Sequence, residues 1–104
     1  MARTAKSTIA TKEMSDRLYE AILQLKTKEE CYNFFQDLCT ISELRSMEQR
    51  YEVAVLLDSG MIYSDILGQT GASSATISRV NRALISGTGG YELVLERMKE
   101  QEQK

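Results

Sequence analysis

Histidine is absent from this chain of 104 residues, and so is proline. Without histidine the chain lacks the commonest general base and the commonest metal ligand. Two cysteines, Cys31 and Cys39, are the remaining soft ligands, and two thiolates alone do not close a structural zinc site. In a helix, residues eight apart stand about 12 Å apart along the axis, beyond disulfide reach, so both cysteines are expected to be reduced and buried. No metal and no cofactor is expected. No apolar run approaches the length of about eighteen residues that a membrane span needs. The opening MARTAKSTIATKEM has basic residues but no apolar stretch behind them, unlike a secretory signal. A cytoplasmic location follows by default. A basic excess is also missing: 13 Lys and Arg stand against 15 Asp and Glu, for a net charge of −2. That balance weighs against nucleic acid as a partner, although where charge sits matters more than its sum.

What remains is rich in alanine, leucine, glutamate, lysine and glutamine, with six glycines and 42% hydrophobic residues. That composition favours an all-helical domain, and the length fits one domain. Residues 1–10 read as a flexible arm whose Arg3 and Lys6 could touch phosphates. Helical periodicity begins near Lys12, with Leu18, Ile22 and Leu25 on one face. Thr27-Lys28-Glu29-Glu30 is a capping box opening a second helix, and Thr40-Ile41-Ser42-Glu43 is another opening a third. The third helix is expected to run to about Asp58 and to end at Ser59-Gly60. Its apolar residues cover a wide arc, so it needs neighbours on more than one side. A short helix from about Ser64 to Gln69, a helix from Ser74 to about Ile85, a loop over residues 86–90 and a last helix from Tyr91 complete six helices. One domain is expected over residues 11–98, with residues 99–104 frayed.

Residues 63–82, YSDILGQTGASSATISRVNR, carry the sharpest signal. Ile66, Ala72, Ile77 and Val80 take the fourth, tenth, fifteenth and eighteenth places, and Gly71 takes the ninth. Apolar residues there let two short helices close on each other, while glycine accepts the left-handed turn between them. This is the spacing of a helix-turn-helix. Ser73 is the expected cap of the second helix, with Ser74 as its alternate. Ser73, Ser74, Thr76, Ser78, Arg79 and Arg82 are the expected DNA-binding residues. The serines and threonine are short enough for close approach, and arginine can make paired bonds to guanine. No carboxylate occurs between Ser73 and Gly90, which leaves a locally positive surface inside an acidic chain.

An enzyme is the competing class, and no constellation of residues prescribes chemistry. The glycines of residues 87–90 lack the fixed spacing and the lysine of a phosphate-binding loop. Helices one to three carry more apolar surface than a lone bundle of this size hides, and one recognition helix reads few base pairs. A homodimer with two heads answers both points.

From the second helix onward the chain resembles the tryptophan repressor family, closest to the Trp-repressor-like proteins of Gram-positive bacteria. The residues that carry the likeness are FFQDLCTISELRSMEQRYEVAVLLDSG, YSDILGQTGASSATISRVNRAL and the GTGGYE turn. The resemblance implies an all-α, six-helix intertwined homodimer. It places Leu18, Ile22, Phe34, Leu38, Leu44, Val55, Leu93 and Leu95 in a core shared by both chains. It also implies repression through a palindromic operator on double-stranded DNA. The family's corepressor is tryptophan, held between two arginines that Arg50 and Arg79 match. Here Val80 stands where tryptophan binders have glycine, and Ala83 where they have a serine. Arg50, Arg79, Val80 and Ala83 thus read as the remnant of an effector site. Tryptophan is disfavoured, and a different small effector stays open. The alternative to a DNA-binding regulator is an adaptor whose helix-turn-helix docks on another protein.

Overall fold

A computed structural model describes residues 7–103, with side chains from residue 11 onward. Six helices follow in order: α1 (Ser7–Ile22), α2 (Lys28–Leu38), α3 (Ile41–Asp58), α4 (Tyr63–Thr70), α5 (Ser74–Ser86) and α6 (Gly90–Glu102). The described residues contain no strand. No described helix is long and apolar enough to cross a membrane. Two compact units meet in sequence between Thr40 and Ile41.

The first unit holds α1 and α2. The helix α1 starts at Ser7, five residues before the expected start at Lys12. Residues 1–6, where most of the expected arm falls, lie outside the described residues. At the head of α2 the capping box forms with one shift of register. Glu30 N–H donates to Thr27 Oγ1 at 3.0 Å, but the Glu30 carboxylate accepts from Lys26 N–H at 2.8 Å rather than from the cap residue itself. Phe34 and Phe35 meet edge to face, with ring centroids 5.4 Å apart. Both cysteines are free, as expected, but Cys31 is exposed and Cys39 only half-buried. In the single chain α2 has no fully buried position.

The second unit is built on α3. Its end at Ser59-Gly60 is a Schellman turn: Gly60 is left-handed, Gly60 N–H donates to the Leu57 carbonyl and Met61 N–H to that of Leu56. Val53 and Ala54 of α3 pack with Ile66 of α4, Ala72 of the turn, and Ile77 and Val80 of α5. Those six residues form the buried cluster, and Leu56, Leu57, Met61 and Tyr91 close its edges. The loop expected over residues 86–90 narrows to three residues. Ser86 stays helical with its hydroxyl on the Arg82 carbonyl, and Gly90 is already the first residue of α6.

The tail departs from expectation, since α6 continues through residues 99–102. Lys99 Nζ pairs with Asp58 Oδ2 at 2.7 Å, tying α6 to the end of α3. The hydrogen bond to Asp58, followed by its negative charge, holds the Lys99 pKa above its ordinary value. The sign follows from linkage: a pKa raised by folding stabilises the fold fully below the ordinary lysine range, and that contribution fades as pH rises through the raised value. Urea midpoints taken across the alkaline range should fall for the wild type, and fall less steeply for Lys99→Ala.

The eight residues assigned to a shared core behave unevenly. Leu95 is buried, whereas Leu38 and Leu93 are about half exposed at 49% and 50%. Leu18, Ile22, Phe34, Leu44 and Val55 are half-buried. A single chain does not cover them.

Candidate nucleic-acid interface

The helix-turn-helix is α4, residues 71–73 and α5. Gly71 sits at φ +71°, and its N–H donates to the Leu67 carbonyl at 3.0 Å. That left-handed backbone strains any residue with a Cβ by roughly 1–2 kcal/mol. Gly71→Ala should lower unfolding stability by about that amount in a urea titration, although the space beside Gly71 is open. Thr70 organises the same corner. Its hydroxyl donates to the Ile66 carbonyl at 2.7 Å and accepts from Ala72 N–H at 3.1 Å. Its carbonyl accepts from Gln49 Nε2 of α3 at 3.2 Å. Neither Thr70 nor Gln49 is singled out by the sequence. Nothing in a linear pattern signals a bond made across 21 residues.

Ser73 caps α5 as expected. Its Oγ accepts from Thr76 N–H at 3.1 Å and donates to Thr76 Oγ1 at the same distance. These two hydroxyls, expected to face DNA, are thus engaged with each other. Ile77 and Val80 turn inward and are buried, with Leu84 half-buried beside them. The opposite face carries Ala75, Ser78, Arg79 and Arg82 at spacings of three, four and seven, so they lie in one stripe. All four are exposed, as is Ser74 at the helix start. Neither arginine makes an ion pair among the described residues. Nine residues of helix, Ser74 to Arg82, present this stripe over about 12 Å.

Four acids of this unit gather elsewhere. Asp58, Glu92, Glu96 and Glu100 line a cleft of about 470 Å³ at α6, together with Lys99. A chain that is acidic in sum therefore shows an acid-free face on α5. Anions also gain from the unbonded N–H groups at the start of α5.

The residues read as an effector-site remnant are distributed differently. Arg50 lies on α3, one helical turn before Val53 and Ala54, and is half-buried. Val80 is 2% exposed and belongs to the buried cluster. Ala83 is exposed and lines an apolar cleft of about 490 Å³ with Tyr51, Thr88, Gly90, Tyr91 and Val94.

Residues 13–99 match the Trp repressor protein family. This chain belongs to the Trp repressor family. Among its relatives is YerC of Bacillus subtilis (strain 168), itself uncharacterized, 55% identical over 87 residues that make up 84% of each protein. Two solved structures share the fold. A candidate Trp repressor from Staphylococcus aureus is 47% identical with a TM-score of 0.81, over 84% of this chain and 87% of that one. A TrpR-like protein from Eubacterium eligens is 50% identical with the same TM-score, over 84% and 90%. The six helices are thus the all-α fold of Trp-repressor type. It is a non-catalytic transcription-factor fold.

Proposed function

We propose that this Trp repressor family member is a sequence-specific DNA-binding repressor. It acts as a homodimer on a palindromic operator and does not respond to tryptophan. The observation that carries the proposal is the exposed stripe of α5, acid-free and bearing two arginines outside any ion pair among the described residues, on a helix whose opposite face is locked into the buried cluster. Arg79 and Arg82 supply charge for phosphates or paired donors for guanine, and Ser74 and Ser78 allow close approach. Double-stranded DNA fits such a surface.

The dimer is supported by apolar surface left uncovered. Tyr32, Ile41 and Leu93 in the helices, and Leu23 just past α1, are each at least half exposed, apolar surface that a second chain could cover. A two-fold pair would set two recognition helices about 34 Å apart, one turn of the duplex. Sedimentation should give twice the chain mass.

The absence of a tryptophan response is supported by Val80. Its side chain is 2% exposed within the buried cluster of the head. Arg79 is then free for phosphate rather than for a corepressor. Adding tryptophan should change operator affinity by less than about two-fold, against the roughly 5–150-fold of ordinary allosteric coupling. A strong tryptophan dependence would overturn this part.

Selection of random duplexes by the purified protein at stated salt tests the class. An enriched palindrome is expected. No enrichment would sink the DNA reading and favour an adaptor that docks on another protein.

A further inference from the structure

We propose that Gln49 is a positioning residue that sets the pose of the reading head on α3, and thereby the half-site spacing the dimer accepts. The inference rests on the DNA-binding reading above. The remaining packing between α3 and the head in the buried cluster is apolar: Val53 and Ala54 against Ile66, Ala72, Ile77 and Val80. Such packing excludes water but has little directional preference. Two of those six residues are alanines, whose single methyl groups offer little to resist sliding. A hydrogen bond is directional, weakening steeply as its angle departs from linear. The one from Gln49 Nε2 spans from α3 to the Thr70 carbonyl at 3.2 Å.

Its landing point matters. Thr70 is the last residue of α4, where backbone carbonyls lack partners within the helix. The Thr70 hydroxyl already joins Ile66 of α4 to Ala72 beyond the turn. The Gln49 bond therefore ties α3 to a residue whose hydroxyl links α4 to the turn that leads into α5. A small tilt at this corner is magnified along the recognition helix. The 13 residues of α5 span about 20 Å, so a tilt of about 10° moves the far end by roughly 3 Å. That is close to one base-pair step of about 3.4 Å.

The test uses the half-site that the wild type selects, placed in inverted pairs with every spacer length across one helical turn. The wild type should prefer one spacer. Gln49→Leu keeps the volume and loses the donor. It should keep the half-site sequence while its spacer preference flattens or shifts by about one base pair. Gln49→Glu keeps size and polarity but sets a carboxylate against a carbonyl, and it stands in if the leucine variant folds poorly. Lys99→Ala serves as the control. It weakens the same unit at a site away from the turn and should lower the melting temperature with the spacer profile unchanged. A spacer profile for both Gln49 variants that superimposes on the wild type overturns the proposal. So does an affinity loss that is equal at every spacer and tracks the melting temperature, as a purely stabilising residue would give. If the wild type itself selects no duplex, the DNA-binding reading fails first and this inference falls with it.

Discussion

Replacing Arg79 and Arg82 together with alanine should lower operator affinity at least about 100-fold while leaving the fold intact. Each arginine at a base edge or phosphate contributes roughly 1–3 kcal/mol, and a two-fold dimer would present both residues twice. Even the low end of that range, summed over the dimer, exceeds the roughly 2.8 kcal/mol that a 100-fold change represents. The fold should not notice, because both side chains are exposed and make no ion pair among the described residues. Surface changes of that kind stay within about 0.5 kcal/mol. Fluorescence anisotropy at fixed salt and a circular dichroism melt separate the two effects. The slope of log affinity against log salt should also flatten, by about 0.9 for each phosphate that is no longer neutralised. Unchanged affinity in the double variant would show that α5 does not face the duplex.

Ile77→Ala is the second large effect, and it acts on the opposite face of the same helix. Ile77 is 0% exposed, in a buried cluster with Val53, Ala54, Ile66, Ala72 and Val80. Truncating a fully buried isoleucine costs about 2–5 kcal/mol, part transfer and part cavity. A domain of this size holds a total of only about 5–15 kcal/mol. Urea titration followed by circular dichroism should show the loss at constant protein concentration, because a dimer's stability depends on that concentration. DNA binding should fall in parallel with the folded fraction, whereas the arginine variant loses binding with its fold whole. A loss below about 1 kcal/mol would mean that the head collapses around the gap.

The helix-turn-helix was readable because its determinants are local. Ile66, Gly71, Ala72, Ser73, Ile77 and Val80 lie within fifteen consecutive residues, and each has one physical task that periodicity or turn chemistry exposes. The structure puts Gly71 in the left-handed region, Ser73 at the cap and the four apolar residues in the core. Helix ends were less legible. Thr70 adds a residue to α4 through a back-bonded hydroxyl, and Lys99 meets its partner far back along the chain at Asp58. Neither bond is visible in a window of sequence. Cys31 depends on more than its own helix. Cysteine is often buried in folded proteins, but burial depends on what covers the helix, and in the single chain α2 carries no buried residue.

Residue order alone determined the six-helix architecture, the recognition unit and the acid-free run that bears Arg79 and Arg82. All of these follow from short-range propensity, spacing and charge along the chain. The local geometry of the cap settles which hydroxyls remain available to a partner. Ser73 and Thr76 bond to each other at the cap, leaving Ser74, Ser78 and the two arginines as the accessible polar groups of the expected interface. Only the tertiary structure decided that Val53 and Ala54 of α3 cover the head and that Gln49 reaches the turn. Both are long-range outcomes. They depend on where α3 lies against α4 and α5, and that geometry comes from packing many side chains at once rather than from any one stretch of residues.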